Sequence, residues 1–287
     1  MVETLLMNLR AEKAREEKAR LPRARPPIPK GLELKYAVQL KNYQRAINKK
    51  TLELVEPLKL STSSTGQITS TMDTLGDTVT KAILAGSILT GIVTTQGTSI
   101  TTWNNRKYDK PLYNIIGLNN LGADRVEDMV TSWTTENIRL IKGVNDDQVK
   151  NLETLLLRNT RDPLGAGELT KQIRKIIKSS LNRSTLIARD QTLKLNGQYD
   201  RAKQTQAGVD SFIWRTSRDE RVRPEHRARE GKVYSWKTGA NGEFPGQPIK
   251  CRCTAEPNLE PLLGPKYKPA PPRPIKPPRP RKRRKAA

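Results

Sequence analysis

A change of sequence pattern at Gly208 constrains the fold of this chain more than any other feature. Before Gly208, apolar residues recur every three or four positions over long stretches, and this spacing predicts helices. After it, the segments "SFIWRTS" and "KVYSW" are short, aromatic and β-branched, which predicts strands. We therefore predict an α+β fold, in which a long-helical N-terminal region is followed by a small helix-plus-β domain.

Apolar stripes locate the helices before Gly208. At helical spacing they predict helices over 31–56, 66–93, 124–142, 146–158, 168–181 and 185–207. The cleanest stripe includes Ile68, Met72, Leu75 and Val79, and its helix has a weakly charged opposite face that suits packing against other helices. We expect residues 96–111 to form a loop and Asn182–Ser184 to form a capping turn between two helices.

The two ends of the chain differ from its middle in composition. Residues 1–30 contain eight Lys or Arg against four Glu and a proline-rich run, so we predict an arm that orders only against a partner. Residues 259–287 contain nine prolines and ten basic residues with little apolar content, which predicts a disordered tail. Between the ends we predict a helical assembly region over 31–144 and an α+β domain over 145–258.

The formal net charge of +24 requires a polyanionic partner, and nucleic acid is the commonest one. From residue 261 to 287 the tail carries ten basic residues and no acid to neutralise them, so phosphate contact without base specificity is expected there. We predict DNA binding by Lys276, Arg279, Arg281, Lys282, Arg283, Arg284 and Lys285. A nuclear import signal and a charge that only maintains solubility are the competing interpretations of such a run.

Cysteine content and hydropathy indicate the compartment. The two cysteines are separated by one residue, which makes a poor disulfide framework and favours reduced thiols in a cytosolic setting. The N-terminus has no long apolar core, so we expect no signal peptide. Residues 82–105 carry no charge but are rich in Thr, Ser, Gln and Asn, so we expect no membrane association.

The only histidine and both cysteines of the chain fall within one short region. Three interpretations of His226, Cys251 and Cys253 are open: a hydrogen-bonded structural group, a Cys–His nucleophile pair and a zinc site. Zinc would have only three of its usual four ligands, and the cysteines are closer in sequence than usual zinc pairs. We therefore expect no cofactor and keep zinc as the one metal candidate.

Arginines and acidic residues alternate between Trp214 and Gly231. One interpretation is a loop whose conformation is fixed by Arg–carboxylate pairs, and the other is phosphate binding. Because acids are interleaved with the arginines, we favour the structural interpretation. The predicted structural motif consists of Trp214, Arg215, Thr216, Arg218, Asp219, His226, Gly231 and Arg252.

The stretch "WRTSRDERVRPEHRAREG" with the later "KCRC" resembles the phage Mu F-like minor head protein family, also called phage head morphogenesis proteins. The resemblance covers about residues 145–258. The family motif is matched by Trp214, Thr216, Asp219, Val222, His226, Gly231, Cys251, Arg252 and Cys253. The chain departs from the family where an Ala-Arg-Thr-Glu sequence is usual, at residues 188–191, and where a His often stands, at Gln247.

The resemblance implies a non-enzymatic minor head protein of a tailed phage, present in the host cytoplasm during assembly and then inside the virion at the portal vertex. The partners that it implies are the portal protein and packaged double-stranded DNA, with the major capsid or scaffolding protein as further candidates. It also implies roles in assembly and DNA ejection, and a distant link to the ADP-ribosyltransferase fold. An ADP-ribosyltransferase-like or metal-dependent enzyme carried in the virion is the alternative.

Overall fold

The computed structural model describes residues 2–16, 27–59, 64–84, 87–118 and 121–264. All seven basic residues predicted to bind DNA lie outside these described ranges, as does part of the predicted N-terminal arm. The described residues form long helices followed by a region of short strands and helices, so the predicted α+β fold is confirmed.

Helices dominate the described chain. Their bounds are α1 Val2–Glu16, α2 Lys30–Val55, α3 Thr65–Leu84, α4 Ser87–Lys107, α5 Pro111–Ile115, α6 Ala123–Arg161, α7 Ala166–Gln206, α8 Pro224–Arg229 and α9 Glu260–Leu263, with a 3₁₀ turn at Glu56–Lys59. The predicted stripe of α3 is buried, with Ile68, Met72, Leu75 and Val79 each 3% exposed or less.

Three predicted breaks in the helices are wrong. The loop expected over 96–111 is helical as far as Lys107, α6 runs without a break past residues 142–146, and the capping turn at Asn182–Ser184 lies inside α7. The physical reason is that polar side chains expected to end helices have buried partners instead. Gln96 donates a hydrogen bond to the backbone oxygen of Leu32, and Ser184 donates one to Gln44.

The chain divides into two compact units, each built from separate stretches of sequence. Among the described residues, one unit draws on Met1–Pro29, Ile100–Val126 and Leu193–Ala287, and the other on Lys30–Ser99 and Glu127–Thr192. Helices α4, α6 and α7 contribute residues to both units. The boundary predicted between residues 144 and 145 falls inside α6.

The unit containing Lys30–Ser99 and Glu127–Thr192 has a core that is partly polar. The amide of Gln44 donates hydrogen bonds to Asn145 at 2.8 Å and to Asn48 at 3.2 Å, and it accepts one from Ser184 at 3.1 Å. All four side chains are buried. Because these polar groups hydrogen-bond to one another, the helices pack closely although only 34% of the chain is hydrophobic.

The other unit contains a three-stranded antiparallel sheet in the order β2-β1-β3. Strand β1 (Ser211–Arg215) is central, with β2 (Val233–Ser235) and β3 (Thr254–Pro257) on either side. The register pairs Ile213 with Val233 and Trp214 with Ala255. The predicted strands are thus present, and β3 is an additional strand.

Both ends of the described chain contribute to this unit. Ala11 and Ala14 of α1 are 4% exposed, and Leu259 is fully buried in the same cluster as Ala14. Residues 259–264, which the sequence placed in a disordered tail, therefore begin with a core residue and the short helix α9. Of the predicted arm, residues 2–16 form α1, which packs near α5 and α9.

Candidate functional site

The candidate site lies where the central strand, α8 and the segment before β3 meet. Trp214 is near the end of β1 and is fully buried. Pro224 stands at the start of α8, where its fixed φ suits the first turn and its missing N–H leaves no donor unpaired. The helix then places His226 inward, at 3% exposure. Cys251 and Cys253 approach from the segment that leads into β3.

The structure brings His226, Cys251 and Cys253 together. The Nδ1 atom of His226 is 3.7 Å from Sγ of Cys251 and 3.4 Å from Sγ of Cys253. The three possible ligand atoms all lie within 4.8 Å of one another. The two cysteines are free thiols, 3% and 5% exposed. The group can therefore share protons or hold a metal ion, but it is closed to a bulky substrate.

The two thiols differ in acidity. The pKa of Cys251 is lowered to about 5, chiefly because Cys253 donates a hydrogen bond to its sulfur, with further contributions from His226 and from the backbone N–H groups of Cys253 and Gly246. The pKa of Cys253 is raised, because it is the donor to Cys251 and because it is buried. Cys251 is therefore the sulfur that this environment prepares to carry negative charge.

Trp214 contacts the cluster directly. Its ring meets the His226 ring edge-on, with the centroids 5.3 Å apart, and the Arg229 guanidinium lies 4.9 Å from its centre. Its indole Nε1 is buried without a hydrogen-bond partner of ordinary geometry among the described residues. The same indole N–H acts on Cys253, whose pKa it lowers in opposition to the larger effects of Cys251 and burial.

Two ion pairs hold the segments around the cluster. Arg252 donates to Asp219 through two nitrogens, one of them 2.6 Å from Oδ1, so the residue between the cysteines is tied to the loop after β1. Burial opposes ionisation of Asp219, but Arg252 outweighs it and holds the pKa of Asp219 below its usual value. Arg215 is 2.5 Å from Glu256 on the neighbouring strand, and both are buried.

The remaining motif residues shape the loop between β1 and β2. Thr216 donates hydrogen bonds to Glu230 from both its backbone nitrogen and its hydroxyl, each at 2.7 Å. Gly231 has a φ of 78°, which a side chain would strain, and its N–H donates to the backbone oxygen of Trp214. Arg218 also has positive φ, at 56°. All eight predicted motif residues therefore lie in or beside this loop and sheet.

Sequence analysis missed the acidic partners. Glu256 is buried and Glu230 is half-buried opposite Arg215, and Glu243 lies 2.5 Å from Arg229 and 3.7 Å from Nε2 of His226. An acid in a strand or a Gly-rich loop carries no local signal of burial, because only its distant arginine makes burial favourable. Gln247, at the position where the family often has His, is exposed and accepts a hydrogen bond from the backbone of Phe244.

Sequence analysis also missed a second group of buried charged side chains. Lys107 is 2.5 Å from Asp200, which also accepts a hydrogen bond from the hydroxyl of Tyr108. Lys203 lies over the Tyr108 ring at 5.3 Å, and its pKa is lowered to about 8, mainly by burial. The group stands between helices α4 and α7, and the helical spacing of Asp200 and Lys203 was the only available hint.

The seven basic residues predicted to bind DNA lie outside the described ranges. Among the described helices, none is both long and apolar enough to span a membrane.

Comparison with known proteins gives two matches. Residues 150–256 match the family model described as "Phage Mu protein F like protein". A Haemophilus influenzae protein described as "Uncharacterized protein" is 29% identical over 140 residues, which are 48% of this chain and 31% of that protein. The chain thus matches less than a third of that relative's length. No solved structure matches.

The matched segment contains all of α7, the sheet except Pro257 of β3, and the whole His–Cys cluster. The similarity to the Phage Mu protein F like family thus covers the domain that residues 150–256 form.

Proposed function

We propose that this chain is a minor head protein of a tailed phage, located inside the capsid at the portal vertex. The observation that carries the proposal is the family match over residues 150–256. In this role the chain binds the portal protein and packaged double-stranded DNA, contacts the major capsid or scaffolding protein during assembly, and assists DNA ejection. It acts as a structural component rather than as an enzyme.

The burial of the reactive groups supports a structural role. A cysteine nucleophile must reach its substrate, but His226, Cys251 and Cys253 are 3%, 3% and 5% exposed. The loop that covers them is fixed by the Asp219–Arg252 pair and by backbone hydrogen bonds, such as that from Gly231 to Trp214. These contacts suit a rigid domain that is built into an assembly.

The charge distribution supports DNA contact. The chain has 53 Lys and Arg against 29 Asp and Glu, and its last seven residues include five basic ones. DNA held inside a capsid is a concentrated polyanion, and a tail of this composition contacts phosphates without reading bases. The folded domains remain available for protein contacts.

Salt-dependent DNA binding tests the tail. We compare the full chain with a variant in which Arg281, Lys282, Arg283, Arg284 and Lys285 are all Gln. If all five contact phosphates, the slope of log K against log salt concentration falls by about 4.5, because each contact contributes about 0.9. An unchanged slope would contradict DNA binding by the tail.

Affinity capture tests the portal contact. A tagged full-length chain is purified from cells producing the phage that encodes it, together with the same five-Gln variant. We expect both to recover the portal protein after nuclease treatment, because the tail contacts DNA and the folded part contacts protein. Absence of the portal from both preparations would contradict the proposed portal contact.

A further inference from the structure

We propose that His226, Cys251 and Cys253 form a zinc site, with Nδ1 of the histidine and both sulfurs as ligands. The proposal does not depend on the head-protein role, because it follows from the arrangement of these side chains alone. It also accounts for the placement of the only histidine and both cysteines of the chain in one buried cluster.

The distances match those that zinc imposes. Zinc–sulfur bonds of about 2.3 Å and zinc–nitrogen bonds of about 2.0–2.1 Å at tetrahedral angles place sulfur and nitrogen about 3.6 Å apart and two sulfurs about 3.8 Å apart. Here the two sulfur–nitrogen distances are 3.7 Å and 3.4 Å, and no pair of ligand atoms exceeds 4.8 Å. A zinc ion fits between the three atoms with little movement.

The surroundings place charged and polar groups next to the proposed ligands. The Nδ1 atom of His226 faces the sulfurs, while Nε2 points toward Glu243, with its Oε2 3.7 Å away. A carboxylate on the far side of a histidine orients the ring and increases its basicity toward a metal. Backbone N–H groups of Gly246 and Cys253 donate to the sulfur of Cys251. These donors stabilise a thiolate without protonating it.

Trp214 provides an independent indication. Its indole N–H is fully buried, interacts with Cys253, and has no hydrogen-bond partner at ordinary distance among the described residues. An unpaired buried donor destabilises the folded state. A metal-bound thiolate at Cys253 would carry more negative charge than a thiol, so it would accept this hydrogen bond and remove this destabilisation.

The donor set selects the metal. Two thiolates and an imidazole favour zinc and other soft or borderline metals over magnesium and calcium, which require oxygen ligands. No fourth His, Cys, Asp or Glu joins the group within the described ranges, so we assign the fourth position to a water molecule. Because both sulfurs bind as thiolates, binding releases to solvent the proton that Cys253 donates to Cys251. The ion would link α8 to the segment that enters β3.

Cobalt substitution tests the site on the full-length protein. Reduced, metal-free wild-type protein is titrated with Co²⁺. We expect one equivalent to give a thiolate-to-cobalt band in the near ultraviolet and the strong visible absorption of tetrahedral cobalt, both abolished by excess Zn²⁺. If folded wild-type protein gives no thiolate band, the proposal is overturned without reference to any variant.

Two ligand variants and one control test the assignment. Cys253→Ser and His226→Gln should each lose the one-equivalent saturation and weaken metal affinity at least tenfold, as measured by competition with a chelating dye. Arg221→Gln is the matched control, because Arg221 lies in the same loop, its side chain is 72% exposed, and its guanidinium is 3.8 Å from the Asp219 carboxylate. Retention of wild-type affinity by both ligand variants would overturn the assignment.

Thermal melting provides a second readout. Chelation should lower the Tm of wild-type and Arg221→Gln protein by several degrees and leave that of His226→Gln unchanged, since a metal that binds only the folded state stabilises it. Equal shifts in all three proteins, or no shift in any, would contradict a bound ion in this cluster.

Discussion

The close approach of α7 to the loop before the cysteines can be tested with one methyl group. Gly197 lies within α7, and a Cβ atom at this position would be 2.5 Å from the backbone oxygen of Pro245. Gly246 has a φ of 85°, and its own Cβ would be 2.8 Å from the backbone oxygen of Leu193. Both obstacles are backbone atoms, so no side-chain rotation can relieve them.

The size of the effect of Gly197→Ala follows from these distances. Ordinary contact begins at 3.4 Å, so the loop and helix must separate by about 0.9 Å. Overpacking of this kind costs about 1–3 kcal/mol. In an open helix the same change would stabilise by about 1 kcal/mol, because Ala has the higher helix propensity. We expect a net loss of up to about 2 kcal/mol in the free energy of unfolding.

Urea unfolding of purified protein measures this difference. Gly143→Ala is the matched control, because Gly143 lies inside α6 and a Cβ there would meet nothing within 4 Å. We expect the control to unfold at higher urea concentration than wild type and Gly197→Ala at lower concentration. If both variants are stabilised, the loop does not lie against α7 and the reasoning is refuted.

Three further predictions concern charged groups. Arg215→Met should lower the free energy of unfolding by about 3–5 kcal/mol in urea titrations, because Glu256 would remain buried without its partner; a loss below about 1 kcal/mol would contradict this. The depressed pKa of Asp219 contributes stability that is present above about pH 4 and is lost as the pH falls. Asp219→Asn should therefore flatten the acid side of the Tm–pH curve, and an unchanged curve would count against the Arg252 pair. The pKa of Lys203 is lowered to about 8, so the free energy of unfolding should rise between about pH 8 and pH 10. Lys203→Met should remove that rise. If the rise persists in the variant, Lys203 is not its cause.

Local patterns in the sequence predict much of the fold. The apolar period of α3 and the aromatic strand β1 are short-range features, and both are observed. The helices that continue through predicted breaks, such as α7 at Asn182–Ser184, depend on long-range contacts instead. Ser184 favours a cap in an isolated segment, but its hydroxyl is paired with Gln44, which lies 140 residues away in sequence. Such a partner cannot be identified from the residues around Ser184.

The same distinction applies to the candidate site. The clustering of His226 with the cysteine pair suggested a common site from sequence, and the structure brings the three side chains together. Strand β3 was not predicted, because Glu256 and Pro257 are both disfavoured in strands. Glu256 is accommodated by Arg215 across the sheet, 41 residues earlier in the chain. Long-range charge pairing of this kind leaves no periodic signal.

The central proposal is that this chain is a component of a tailed-phage head. The most direct test is quantitative mass spectrometry of gradient-purified, DNA-filled particles of the phage that encodes it, after treatment with external protease. We predict that the chain is present and protected from the protease until the particles are opened. Its absence from particles that contain the portal protein would contradict the account.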